Sequence, residues 1–214
     1  YIFGRVFARQ IAHDLAVAAN HSQRRAQIVR SVNHSGKLTA GTMEISGDFT
    51  QSSSKSSYNF AASGSHKVTF TSDKKHIVSI SSQNSSYFNK LDITGAEIEL
   101  KYDTYLKNEL IGEDGVITGK RIVICNNAKV SDVINGNVEI YGNYTLAKDV
   151  QIKGSLYLHG SQFDLSGYTL TVDGDTTSYD STINLNKGTY NNNGNFSVGR
   201  NCWYHARCLP LPGK

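Results

Sequence analysis

A seven-residue pattern, Gly-x-apolar-x-apolar-x-Gly, recurs along the middle of the chain. Close copies begin at Gly41, Gly136 and Gly154, a copy with one extra residue begins at Gly167, and a weaker copy begins at Gly119. Within each copy apolar and polar residues alternate, which is the period of a β-strand that buries one face. A short strand cannot bury that face alone, so the repeats must stack on one another or pack as two sheets.

The spacing of the copies favours stacking. The glycines that begin the last four copies are 17, 18 and 13 residues apart, which suits one solenoid coil of two or three short strands. We therefore predict an all-β fold, a right-handed β-solenoid-like stack of short strands over residues 33–199. An antiparallel β-sandwich is the competing interpretation, because it also gives short strands at regular spacing.

The solenoid interpretation predicts which individual side chains are buried and which are exposed. Ile140 and Leu158 hold the same place in two copies, so both should be buried in one column, while Glu139 should lie on the surface. Glycines at the strand ends are expected to supply the positive φ that a tight corner requires.

Composition and charge limit the class of partner. Ser, Thr and Asn are abundant, Pro occurs twice and 38% of the residues are hydrophobic, which is typical of a polar β protein and not of a helical bundle. The formal net charge is +4, and residues 1–36, with five Arg and one Asp, account for all of it. The rest of the chain has no general basic face, so nucleic acid is not expected as a partner. No apolar run reaches the roughly 18–20 residues of a membrane span.

The N-terminal residues 1–32 differ in composition from the middle of the chain. They contain Arg but no Lys, and they carry Phe3, Phe7, Ile11 and Leu15 at helical spacing. We expect this segment to form an amphipathic helix that caps the first coil, because an uncovered coil would expose strand edges.

The C-terminal residues 200–214 are expected to form an irregular tail. They contain both Pro of the chain, together with Cys202, His205 and Cys208 at spacings of three. A structural zinc site needs four ligands, so we predict no metal site, and no cofactor motif occurs elsewhere. Three cysteines are too few for a disulfide framework and do not identify the compartment.

A longer motif opens the repeat region. Residues 34–51 read His-Ser-Gly-Lys-Leu-Thr-Ala-Gly-Thr-Met-Glu-Ile-Ser-Gly-Asp-Phe-Thr-Gln, and residues 59–68 and 87–93 continue with Asn-Phe-Ala-Ala-Ser-Gly-Ser-His-Lys-Val and Tyr-Phe-Asn-Lys-Leu-Asp-Ile. This stretch resembles a repeat segment of large secreted or surface-displayed bacterial proteins of the adhesin-like or toxin-delivering, β-solenoid type. The resemblance implies a repetitive scaffold that is secreted or on the cell surface. Its partners would be host or cell-surface glycans or proteins and neighbouring domains of a larger chain.

The first functional hypothesis is therefore a structural or adhesive β-repeat scaffold without enzymatic activity. A carbohydrate-binding module is the first alternative. Its stacking platforms would be four tyrosines expected to be exposed, since sugar rings present apolar faces to aromatic side chains. These tyrosines are Tyr141, Tyr144, Tyr157 and Tyr168.

A degenerate polysaccharide-lyase-like β-helix is the second alternative. Enzymes of this kind place carboxylates and basic residues on one face of a solenoid, and the acids here would be Asp164, Asp173 and Asp175, with Tyr157 and His159 in the preceding coil. Asp and Gly are also favoured at corners for turn geometry alone. The sequence therefore favours the turn interpretation of these acids, and we predict no catalytic residues.

Overall fold

The computed structural model describes residues 38–51, 60–71, 73–81 and 85–199. This part of the chain is all-β and contains no helix; it forms a β-solenoid. The strands, in chain order, are β1 Thr42–Ile45, β2 Phe49–Gln51, β3 Lys67–Phe70, β4 Lys75–Ile80, β5 Tyr87–Asp92, β6 Glu97–Leu100, β7 Thr104–Ile111, β8 Val116–Gly119, β9 Ile122–Cys125, β10 Val133–Ile134, β11 Val138–Thr145, β12 Val150–Ile152, β13 Leu156–Asp164, β14 Thr169–Val172, β15 Thr176–Tyr179, β16 Thr182–Asn184, β17 Thr189–Asn192 and β18 Phe196–Val198.

Three parallel sheets form the sides of the solenoid. The large sheet has the order β1-β3-β5-β7-β9-β11-β13-β15-β18, with β16 also paired to β13. Two four-stranded sheets, β2-β4-β6-β8 and β10-β12-β14-β17, contain most of the intervening strands. Strands that neighbour each other in a sheet are thus one coil apart in sequence. This arrangement confirms the solenoid and excludes the antiparallel sandwich; the right-handed winding stays a prediction.

The register of the large sheet places equivalent residues of successive coils in columns. Leu106 pairs with Ile124, Ile124 with Ile140, and Ile140 with Leu158. All four side chains are buried, with exposed fractions of 4% for Ile140 and 1% for Leu158. The predicted shared column of Ile140 and Leu158 is confirmed.

Aromatic rings fill the core of the N-terminal coils. The ring centroids of Phe49 and Phe60 lie 4.9 Å apart, and the Phe88 ring lies 5.4 Å from Phe49 and 5.5 Å from Phe60. The interplanar angles of 51° to 72° are those of tilted and edge-to-face pairs, which add to the stabilisation from burial.

The glycines of the repeat serve two different purposes. Gly119 and Gly167 have φ of 80° and 87°, as expected for corners. Gly136 and Gly154 do not have positive φ, so that reason is wrong for them; a Cβ on Gly154 would lie 2.3 Å from the carbonyl oxygen of Gly136. A Cβ on Gly174 would likewise lie 2.7 Å from the carbonyl oxygen of Gly154. This glycine column exists because the backbones of successive coils approach each other closely at this corner.

Several predictions concern residues outside the described part. The N-terminal capping helix of residues 1–32 and the irregular tail of residues 200–214 both lie there. The proposed boundaries at residues 33 and 199 stay predictions.

Ile140→Asp should be far more damaging than Asn143→Asp on the same strand. Ile140 is buried in the core whereas Asn143 is exposed. A buried carboxylate without a partner costs about 4 kcal/mol or more, and a surface change usually stays within about 0.5 kcal/mol. Urea unfolding of the two variants measures the difference; equal midpoints would contradict the assigned strand faces.

Gly154→Ala should cost more stability than Gly160→Ala. The added methyl of the first variant meets backbone atoms at 2.3 Å, whereas nothing lies within 4 Å of a Cβ on Gly160, whose φ is 58°. We expect a loss of about 3 kcal/mol for Gly154→Ala from overpacking and about 1 kcal/mol for Gly160→Ala from left-handed strain. Thermal melting compares them, and a larger loss at Gly160 would show that close approach is not what selects glycine in this column.

Candidate functional site

The outward face of the large sheet carries a concentration of aromatic side chains, which we call the tyrosine face. It arises because the residues between the core positions point outward and the coils align them. In one outward column Tyr87 pairs with Tyr105, and further along the stack Glu139 pairs with Tyr157. The tyrosine face consists of Tyr87, Tyr105, Tyr141, Tyr157, His159 and Tyr179.

A second outward column runs parallel to the first, two residues further along each strand. Cys125 pairs with Tyr141, Tyr141 with His159, and His159 with Tyr179. Tyr141 is 50% exposed and Tyr179 is 39% exposed. The His159 and Tyr179 rings meet edge to face, with centroids 5.5 Å apart. This column, Tyr141–His159–Tyr179, is the most exposed part of the tyrosine face.

Small residues lie beneath part of this face. Val123 and Cys125 point outward, yet only 1% and 2% of their surface is exposed. Their register neighbours Tyr105 and Tyr141 approach each other edge to face with ring centroids 6.2 Å apart. Burial raises the pKa of the Cys125 thiol, which makes the thiolate scarce and the residue unreactive.

Arg121 contacts residues of three other coils at the edge of the tyrosine face. Its guanidinium forms an ion pair with Asp103, lies 2.9 Å from a carboxylate oxygen of Glu139, and stacks over the ring of Tyr157 at 4.7 Å. Burial raises the pKa of Asp103, but hydrogen bonds from Arg121 outweigh burial and leave that pKa below its usual value.

Glu139 points outward but is only 7% exposed, so the expectation that it lies on the surface is wrong. Arg121, from the preceding coil, covers it. Desolvation raises the pKa of Glu139, and the attraction of Arg121 only partly opposes that rise. Arg121 therefore stabilises the charged form of the Glu139 carboxylate but compensates only part of the cost of its burial.

The four tyrosines predicted to stack on sugars do not lie together. Tyr141 and Tyr157 belong to the tyrosine face, although Arg121 covers one face of the Tyr157 ring. Tyr168 is 38% exposed but lies in the turn before β14, at another corner of the coil.

Tyr144 is buried, with 6% of its surface exposed, so its expected exposure is wrong. Its hydroxyl donates to the carbonyl oxygen of Ala128 at 2.9 Å, its ring lies 5.7 Å from that of Phe163, and burial raises its pKa to about 12. The reason is the alternation itself, because Tyr144 lies four residues after Ile140 and therefore faces the same way.

The acids of the lyase hypothesis make hydrogen bonds between coils. Asp164 accepts from the side chain of Asn186 at 2.7 Å, and Asp173 accepts from the side chain of Asn193 at 2.9 Å. Asp175 accepts from the backbone of Asn195 at 2.8 Å. Each acid thus joins one corner to the next coil, as the turn interpretation expects, whereas His159 belongs to the tyrosine face.

One open cleft of about 540 Å³ lies beside the corner that follows β7. Among its lining residues, Glu109 pairs with Lys90 at 2.8 Å and Lys148 pairs with Asp132. Within the described residues no group of three or more His, Cys, Asp or Glu is arranged to hold a metal ion. That same part of the chain has no helix of the length and hydrophobicity needed to cross a membrane.

Comparison of the chain with protein-family models, with curated proteins and with solved structures finds no match.

The sequence interpretation missed half of the tyrosine face. Tyr87 becomes a neighbour of Tyr105, and Tyr179 of His159, only through the pairing of coils, and Arg121 reaches Tyr157 from two coils away. Alternation alone could have shown that these side chains point outward. It could not show which of them are neighbours, because that depends on the length of each coil.

Arg121→Met should destabilise the fold most at neutral pH. The variant leaves Glu139 and Asp103 without their partner, and we expect a loss of about 1–3 kcal/mol at pH 7 after allowance for solvent screening. The pKa of Glu139 is raised in the folded state, so its protonated form favours folding. That contribution to stability is complete below the unfolded-state pKa of Glu139 and is lost as pH rises through its folded-state pKa. The folded-state pKa of Asp103 is lowered, so its contribution is lost as pH falls.

Both effects make the difference between Arg121→Met and the original chain shrink in acid. Urea unfolding at pH 7 and pH 4 tests this, with exposed Lys153→Met as the control for loss of one cation. The double variant Arg121→Met/Glu139→Gln should recover part of the loss at pH 7. A loss that does not change with pH would show that Arg121 acts through packing and not through charge.

Proposed function

We propose that this chain is a structural β-repeat scaffold, with a display or adhesive role, in a secreted or surface-displayed bacterial protein. The observation that carries the proposal is the unbroken parallel pairing of the large sheet from β1 to β18. Such a stack sets the distance and the orientation between the domains or partners that are attached to its two ends. Host or cell-surface glycans or proteins, and neighbouring domains of a larger chain, are its proposed partners.

The distribution of polar groups also supports a scaffold. Asp and Asn side chains at the corners are engaged in hydrogen bonds between coils, and Glu109, which lines the open cleft, is ion-paired with Lys90. A catalytic site usually lies in a cleft and contains titratable groups whose pKa values are strongly shifted from their ordinary values. Among the described residues the carboxylate whose pKa is raised is Glu139, and it is covered by Arg121. We therefore propose no enzymatic activity.

The resemblance of residues 33–94 to repeat segments of large secreted or surface-displayed proteins supports the location. Residues 42–45 of that stretch form β1 and residues 67–70 form β3, which are paired neighbours in the large sheet. The repeat motif thus coincides with a coil of the stack, as a repeating scaffold requires.

A scaffold built from equivalent coils should accept one more coil. Residues 176–195 make one coil, because Thr176 pairs with Phe196, and they contain one acid and one base, Asp180 and Lys187. Duplicating this segment in tandem should give a folded protein about 4.8 Å longer, the spacing of adjacent strands. Hydrogen exchange should show protected amides in the inserted coil.

The control for the duplication is a scrambled insert of the same composition at the same place, which should remain unprotected. If the duplicated coil were unprotected too, the stack would not be extendable and the spacer function would be wrong. Antibodies to the stack, applied to intact and permeabilised cells that produce the protein, test the location separately. Labelling only after permeabilisation would overturn the surface role.

A further inference from the structure

We propose that the column Tyr141–His159–Tyr179 binds an extended, uncharged glycan that lies along the solenoid axis. This site rests on the adhesive role proposed above, for which it names the class of glycan, whereas the scaffold role does not depend on it. It moves sugar binding from the four tyrosines that the sequence suggested to three aromatic side chains that the fold aligns. Of the four, Tyr141 alone belongs to this column.

The spacing of the column fits a repeating ligand. Tyr141, His159 and Tyr179 occupy the same position in three successive strands, so they recur about every 4.8 Å along the axis. One pyranose unit of an extended glycan has a comparable length. A glycan parallel to the axis would therefore pass successive sugar rings over successive coils, with Tyr141 and Tyr179 as the stacking rings and His159, whose ring meets Tyr179 edge to face, between them.

The chemistry beside the column also fits sugar rings. Beyond Gly142 and Gly160, Gln162 of β13 pairs with Asn143 of β11 on one side and with Thr182 of β16 on the other, and all three residues are exposed. A pyranose has apolar C–H faces and a rim of hydroxyl groups. Aromatic rings match the faces, and a parallel line of amide and hydroxyl groups matches the rim.

The glycine at the bend keeps this surface open. A Cβ on Gly160 would meet nothing within 4 Å, and Gly160 itself is exposed. No side chain therefore stands between His159 and the polar line at this coil. A ligand can contact the aromatic column and the polar line together.

The charges around the column favour an uncharged ligand. Arg121 is paired with Asp103 and Glu139, and the amino group of Lys107 lies over the Tyr87 ring at 4.7 Å. Asp180 follows Tyr179 directly and is exposed. Its carboxylate would repel an acidic polysaccharide or a nucleic acid, and the two nearby cations are already engaged.

The remaining rings of the tyrosine face are less available. Lys107 covers a face of Tyr87, and Arg121 covers a face of Tyr157. Tyr105 is only partly exposed, whereas Tyr141 and Tyr179 are 50% and 39% exposed. The free aromatic surface therefore coincides with the column.

The test is titration calorimetry of the full chain with cellohexaose, chitohexaose and mannohexaose, with hexagalacturonate as the acidic comparison. At least one uncharged hexasaccharide should bind, and hexagalacturonate should bind more weakly. Tyr141→Ala and Tyr179→Ala should each weaken binding about three- to tenfold, the loss of one stacking contact. Tyr141→Phe, which keeps the ring, should bind within about twofold of the original chain.

The matched control is Tyr168→Ala, which removes a tyrosine about as exposed as Tyr179 from another corner. It should leave the affinity unchanged. Absence of binding to all three uncharged sugars, preferential binding of hexagalacturonate, or an equal loss in Tyr168→Ala would each overturn the site. Thermal melts of every variant should match the original chain, which separates loss of the site from loss of the fold. The coil duplication tests the scaffold independently.

Discussion

Parallel hydrogen bonding between successive coils is the interaction on which the rest of this structure depends. Each strand of the large sheet pairs in register with the equivalent strand of the coil before it and the coil after it. Equivalent residues therefore fall in columns, and a column is apolar, polar or aromatic according to what each repeat supplies. The core, the glycine column and the tyrosine face are all consequences of this one alignment.

The core changes character along the axis. The column that contains Ile124, Ile140 and Leu158 continues with Ser178, and the neighbouring column ends its buried part at Thr176. Hydroxyl hydrogen bonds partly replace apolar contact here, since the Thr176 hydroxyl lies 2.5 Å from the Tyr190 hydroxyl. The final coils thus bury less apolar surface than the middle ones, and we expect local opening to begin at that end of the described stack.

Alternation within each repeat was enough to predict the fold class and the shared column of Ile140 and Leu158. Its consistent use would also have placed Tyr144 in the core. The tyrosine face required more, because register partners are 16 residues apart from β9 to β11, 18 from β11 to β13 and 20 from β13 to β15. Corners absorb these differences, so sequence spacing alone does not reveal that Arg121 reaches Glu139 and Tyr157. The sequence could not show why Gly154 is a glycine for the same reason, since the close approach of its backbone to Gly136 depends on how two coils pack.

The direction of the hydrogen bonds has a mechanical consequence. In the large sheet they run from coil to coil, along the axis, so a force that pulls the two ends of the stack apart acts on every interface between coils, and the weakest interface opens first. A coil of 18 to 20 residues that detaches from an end releases about 60–70 Å of extended chain, while the remaining coils keep their columns. Under tension the protein would lengthen in steps and dissipate work at each one, behaving as an extensible tether and not as a brittle rod.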